Sequence, residues 1–138
     1  AISTKGESNP TILNNDIHDS ESFGIIVRMD STPVIQDNTL TNNATAIFIG
    51  GHGTQNPDIG GGGRSLGGNV FADNDWDIEN YESNTIMARD NQWSSICCEW
   101  IDTLIYDDDE SEISGMVDYS NPDACMRCMV RVEFRFWD

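Results

Sequence analysis

Asn38-Thr39-Leu40-Thr41-Asn42-Asn43-Ala44-Thr45-Ala46-Ile47-Phe48-Ile49 aligns with Asn69-Val70-Phe71-Ala72-Asp73-Asn74-Asp75-Trp76-Asp77-Ile78-Glu79-Asn80, and on those twelve positions the fold turns. Each block opens on an asparagine followed two residues later by a large apolar side chain, Leu40 over Phe71, and Ile47 falls over Ile78. The same opening recurs at Asn15-Asp16-Ile17 and at Asn91-Gln92-Trp93. A spacing of two is strand periodicity, with one face turned inward. The asparagines Asn15, Asn38, Asn69 and Asn91 are separated by 23, 31 and 22 residues. Self-similarity at such a period signals a solenoid or an array.

Two more short apolar stretches accompany each asparagine. Upstream lie Pro10-Thr11-Ile12-Leu13, Pro33-Val34-Ile35-Gln36 and Ile86-Met87-Ala88-Arg89; downstream lie Gly24-Ile25-Ile26-Val27, Ala46-Ile47-Phe48-Ile49 and Asp77-Ile78-Glu79-Asn80. Three strands in a coil of about 22 residues predict an all-β chain. It is a parallel β-helix of about four coils over residues 1–93, each strand pairing with its counterparts ~4.8 Å above and below. At one corner the repeated asparagines are expected to tolerate left-handed backbone and to bond from coil to coil as a ladder. An antiparallel β-sandwich also uses asparagine turns. It gives no reason for two blocks to share one register across twelve positions.

Charge narrows the partners. With 24 acidic against 7 basic residues in 138, the net charge is −17, which argues against nucleic acid and anionic lipid, since both need clustered Lys and Arg. No run of eighteen apolar residues is present, so membrane insertion is not expected. Cations suit such a surface, although acidity also keeps a flat β-protein soluble and guards its edges. The chain starts at Ala1 without methionine, as a processed product would, and its first residues read as the tail of a coil. An uncovered first coil invites a cover: the rest of a longer chain, the terminal strand, a further copy or a larger surface assembly.

All four cysteines lie in the segment 94–138, as Cys97-Cys98 and Cys125-Met126-Arg127-Cys128. The two-residue spacing of Cys125 and Cys128 matches a zinc knuckle. The adjacent Cys97-Cys98 pair is poor zinc geometry, because neighbouring side chains diverge, and two disulfides of open connectivity are favoured. They would staple this C-terminal extension and imply an oxidising, extracellular setting. The extension ends in Val130, Val132, Phe134 and Phe136 alternating with Arg131, Glu133 and Arg135, a half-buried strand.

Candidate binding residues are fewer. The long interval contains an insertion, residues 52–68, with four consecutive glycines but no Gly-Lys-Ser/Thr ending, so it reads as a turned loop and not a phosphate site. Its cation Arg64 is a candidate for an anionic sugar group. Asp73, Asp75 and Asp77 alternate, which places three carboxylates on an outward strand face for sugar or calcium, and Trp76 beside them is the candidate for sugar stacking. Trp93 takes the inward position of Leu40 and Phe71. The run Asp107-Asp108-Asp109-Glu110 is oxygen-rich enough for calcium but lacks the spaced ligands and glycine of a calcium loop.

Residues 9–15, 57–71 and 84–93, with the tail Trp100-Ile101-Asp102-Thr103-Leu104-Ile105-Tyr106-Asp107-Asp108-Asp109 and Gly115-Met116-Val117-Asp118-Tyr119-Ser120-Asn121-Pro122, resemble secreted right-handed parallel β-helix repeat proteins of the pectin-lyase-like superfamily. The resemblance spans roughly residues 9–122. It implies a right-handed coil and says little about activity, because that superfamily includes lyases, hydrolases, epimerases, adhesins and non-catalytic modules. The chain departs from it in its small number of coils, its cysteines and its last ten residues. The expected function is a non-catalytic extracellular structural or recognition module that self-associates or packs in a larger assembly, contacts polysaccharide, and needs no cofactor beyond optional calcium. The alternative is a polysaccharide lyase or glycoside hydrolase. No catalytic set is legible; Arg28 near Asp30 and Arg89 near Asp90 are the best-placed pairs.

Overall fold

Runs of three to five residues rich in Ile, Val, Phe and Thr, punctuated by Asn, Asp, Gly and Ser, each form a short strand. The computed structural model of the chain describes residues 1–95 and 97–120. Sheet A stacks β1 (Ile2–Thr4), β4 (Phe23–Val27), β7 (Thr45–Ile49), β10 (Trp76–Asn80) and β12 (Ile105–Tyr106) in that order. Sheet B stacks β2 (Thr11–Leu13), β5 (Val34–Gln36), β8 (Asp58–Gly60), β11 (Ile86–Ala88) and β13 (Val117–Asp118). Sheet C holds β3 (Asp16–His18), β6 (Thr39–Thr41) and β9 (Val70–Ala72), continued by a bridge from Val70 to Gln92. Neighbouring strands pair in parallel throughout. The architecture is therefore the parallel β-helix that the repeat predicts, three strands to the coil.

Inward side chains stack in columns along the helix axis. Ile25, Ile47, Ile78 and Ile105 form one column in sheet A, and Ile17, Leu40 and Phe71 another in sheet C. All seven are buried. Trp93 closes the second column, its ring stacked on Phe71 at 4.6 Å and 9°. Stacking continues past residue 93. β12 and β13 extend sheets A and B, and the short helix α1 (Cys98–Asp102), which precedes them in the chain, brings Ile101 into the core.

The asparagine ladder is continuous. The Oδ1 of Asn38 accepts from both the backbone N–H and the Nδ2 of Asn15, each at 3.0 Å; Asn69 does the same for Asn38 at 3.0 Å, and Asn91 for Asn69 at 2.9 Å. Each Nδ2 also donates to a backbone carbonyl, for example Asn38 to Ile12 at 2.9 Å. The left-handed backbone is not at these asparagines but one residue earlier, at Asn14, Asp37, Gly68 and Asp90. The reason is division of labour at the corner. The turn needs positive φ at the residue that reverses direction, while the next residue must sit in extended backbone to aim its side chain along the axis.

A second ladder runs along the corner between sheets C and A, unrecognised in the sequence although the same rule builds it. Asp19, Asn42 and Asp73 take positive φ, and the residues after them carry the rungs. Ser20 N–H donates to Asn43 Oδ1 at 3.1 Å, and Asn43 donates through N–H and Nδ2 to Asn74 Oδ1 at 2.9 and 3.1 Å. Asn74 Nδ2 then donates to Asp77 Oδ1 at 3.0 Å, so the ladder ends on a carboxylate.

The segment 52–68 is not wholly an insertion. Pro10, Pro33 and Pro57 occupy one position of the coil: Val34 N–H donates to Pro10 O at 2.9 Å as Asp58 N–H donates to Pro33 O at 2.9 Å. Asp58–Gly60 is thus the sheet B strand of its coil, and the extra residues follow it. They wrap around the Asp58 carboxylate, which accepts N–H from Gly60 at 3.1, Gly62 at 3.0, Arg64 at 2.7 and Ser65 at 2.9 Å. The glycine-rich loop encloses an anion of its own chain. Burial pushes the Asp58 carboxyl up, but the four donors more than reverse this and leave it below the ordinary value.

Candidate functional site

In β4 and β10 of sheet A the strict alternation of burial breaks after the first residue, and that break decides what faces outward. The burial pattern of β4 and β10 is outward, inward, inward, outward, inward. Two consecutive inward positions form the column Gly24, Ala46, Asp77 beside the isoleucine column, while two columns turn out: Phe23 and Trp76, with the buried Thr45 in register between them, and Ile26, Phe48, Glu79, Tyr106. Gly24 has no alternative here, since a Cβ would lie 2.8 Å from Ala46 O.

The outward columns hold four aromatic rings, and Tyr81, next after β10, packs among them as a fifth. Phe23 packs on Phe48 at 4.7 Å, Phe48 on Tyr81 at 5.4 Å, Tyr81 stacks on Tyr106 at 4.7 Å, and Trp76 meets Tyr106 edge-on at 5.9 Å. Tyr81 remains 45% exposed. Its place depends on Gly50, where a Cβ would come within 3.0 Å of the Tyr81 Cβ. Glu79 lies between Phe48 and Tyr106 in the outward column. Burial raises the Glu79 carboxyl above its ordinary value, against the opposing bond from Thr45. Burial, then the Glu79 and Tyr106 charges, raise the Tyr81 hydroxyl.

Along the corner leading into sheet A runs an open cleft of about 360 Å³, whose lining includes Asp19, Glu21, Asn42, Asp73 and Asp75. Asn42 Nδ2 bridges to Asp19 Oδ1 at 2.6 Å, and His18 Nδ1 pairs with Asp19 Oδ2 at 2.7 Å. The His18 bond holds the Asp19 carboxyl low and raises the His18 imidazole. Carboxylates that accept hydroxyl protons, set beside aromatic faces, are the chemistry with which proteins hold sugars.

Of the candidates read from the sequence, Asp73 and Asp75 line this cleft and Trp76 starts the aromatic face. Asp77 does not share it. It points inward at 0% exposure, because the break in alternation places two successive side chains inside, and its Oδ2 has no partner among the described residues. Burial pushes its carboxyl up to about 6. Arg64 is also elsewhere: its guanidinium donates to Thr32 O at 2.8 Å and Asn56 O at 3.3 Å, which ties the glycine loop to sheet B. Arg89 pairs with Asp118 at 2.5 Å.

The run at 107–110 is a capping turn. Asp107 Oδ2 accepts Val117 N–H at 2.7 Å, and Glu110 Oε2 accepts Asp107 N–H at 3.0 Å. These carboxylates serve the backbone in place of a common point, and among the described residues no three acidic, histidine or cysteine side chains converge on a metal position. No described cysteine is a free thiol. Cys125 and Cys128, and the strand expected near the end of the chain, lie outside the described residues.

Phe23, Phe48, Glu79, Tyr81 and Tyr106 were missed by sequence reasoning. The twelve-position alignment already places Phe48 over Glu79, but alternation with strict period two does not reveal the break that leaves Trp76 outward with them. No match is found among curated proteins or among solved structures. The family model described as right handed beta helix region matches residues 1–103. With three-quarters of its length inside that match and its strands stacked in parallel coils, the chain belongs to the right-handed β-helix family.

Proposed function

We propose that the protein is a non-catalytic extracellular recognition module that contacts carbohydrate through the outer face of sheet A. The observation that carries this reading is the group of five aromatic rings around Glu79, bordered by the acidic cleft of Asp19, Glu21, Asp73 and Asp75. Aromatic faces stack on the apolar faces of pyranose rings, and the carboxylates accept hydroxyl protons. The oxidising setting has support in the lack of a free thiol among the described cysteines. A lyase or glycosidase finds less support here. Glu79 is the one carboxylate in the outward columns of the face, whereas glycoside hydrolysis uses two flanking the bond.

Titration calorimetry against soluble glycan oligomers tests the reading. Binding is expected to weaken by a factor of about three to ten in Trp76→Ala and in Tyr81→Ala, since one lost aromatic contact is worth roughly 0.5–1.5 kcal/mol. Undiminished binding in both variants, or release of new reducing ends or unsaturated products, would refute it.

Association with a further copy or a larger assembly has its own observation. β1, β2 and β3 pair on one side only, and Asn15 Oδ1 accepts no hydrogen bond among the described residues, whereas Asn38, Asn69 and Asn91 each accept two. An unfinished rung beside unpaired strand edges is a template for another strand. Light scattering after size exclusion checks this; a monomer at all concentrations would end it.

A further inference from the structure

Glu79 is a charge without a counter-charge. It is half-buried between Phe48 and Tyr106 on the adjacent strands, with Tyr81 and Trp76 in contact with the Tyr106 ring. Its polar neighbour is the Thr45 hydroxyl, and a carboxylate has about four acceptor sites. The ion pairs among the described residues, His18–Asp19 and Arg89–Asp118, do not involve it. A partly desolvated carboxylate is costly unless something positive meets it. The rings around it supply the negative π faces that attract an organic cation.

From this arrangement, and resting on the carbohydrate reading above, we infer that the sugar seated at Glu79 carries an ammonium group, so that the preferred ligand is a glucosamine-type amino-sugar polymer. The ammonium donates to the Glu79 carboxylate and lies against Tyr81 and Tyr106, while the pyranose rings run along Phe48 and Trp76. The cleft beside the face adds Asp19, Glu21, Asp73 and Asp75, and the whole chain carries −17. That field draws in a polycation and repels a uronate polymer. A neutral polymer would gain the stacking alone.

The test uses the full chain and two oligomers of equal length, one of glucosamine and one of N-acetylglucosamine, at a pH where the free amines are protonated. They share a backbone and differ in charge. The glucosamine oligomer is expected to bind about tenfold more tightly, in line with a partly desolvated cation–π and ion-pair contact. Glu79→Gln should remove that advantage and leave the acetylated oligomer within about twofold of its wild-type affinity. Asp16→Asn removes the same charge from the exposed side of sheet C and should change neither affinity by more than about twofold. Equal binding of both oligomers to the wild type overturns the ammonium inference while the carbohydrate reading stands. Equal losses in Glu79→Gln and Asp16→Asn also overturn it, since diffuse acidity would then account for the preference. Failure of both oligomers to bind, with other glycans bound, overturns it as well; no binding of any glycan removes the carbohydrate reading itself.

Discussion

Replacing Asp77 by asparagine should make the protein more stable at neutral pH and leave it unchanged in acid. The Asp77 carboxyl is buried at 0% exposure, Oδ1 takes the last bond of the second ladder from Asn74, and Oδ2 has no partner among the described residues. Burial raises it from 3.8 to about 6. A raised folded-state value means that the neutral form is favoured in the fold: its contribution is complete below the unfolded value and is lost as pH climbs through about 6. About two units at roughly 1.4 kcal/mol each put the cost of the ionised side chain near 3 kcal/mol above that range. Asparagine keeps the oxygen that Asn74 needs and never ionises. Urea unfolding of wild type and Asp77→Asn at a series of pH values from about 4 to 8 reads the gap, which should grow from near zero to about 3 kcal/mol across the interval. A gap independent of pH, or a variant less stable than wild type at the upper end, would refute the assignment of Asp77 as a buried acid at the end of the ladder.

Asn69→Ala removes the acceptor used twice by Asn38 and the donor to Asn91, all buried, and should lower stability by about 3 kcal/mol in denaturant titration, with less than about 1 kcal/mol counting against the ladder as a stabilising element. Asp58→Ala leaves four loop amides without their acceptor, so hydrogen exchange at Gly62, Arg64 and Ser65 should speed up at least about tenfold while the amides of β5 and β6 keep their protection. Because the Asp58 carboxyl is held below its ordinary value, the loop's closure is present above the unfolded value and is lost as pH falls through the folded one; exchange at those amides should rise in acid for the wild type as well. Alkylation of the unfolded chain without reductant, read by mass spectrometry, should label none of the four cysteines if both bridges form; four labels would favour a metal-thiolate site.

Much of the architecture was legible in one dimension because a solenoid repeats in one dimension. Asn15, Asn38, Asn69 and Asn91 mark the corner, and the apolar residue two positions on marks the inward column, since each coil contacts mainly its neighbours and the local pattern is the packing pattern. Pro10, Pro33 and Pro57 also carried the strand of the third coil, but four glycines drew the reading towards a loop. What one dimension could not supply are contacts between residues from different coils whose side chains leave the regular alternation. The break in alternation after the first residue of β10 puts Asp77 inside, although Asp73 and Asp75 stay out, and Trp76 meets Tyr106, thirty residues away in sequence. Glu79 became a candidate only when Phe48, Tyr81 and Tyr106 closed around it, and Asp58 became the centre of the glycine loop only when four amides folded back on it. Periodicity sets which residues share a column, because coil spacing is regular; tertiary structure alone decides which column faces water and which charges are left without partners, because that depends on breaks in the alternation and on desolvation by side chains distant in sequence.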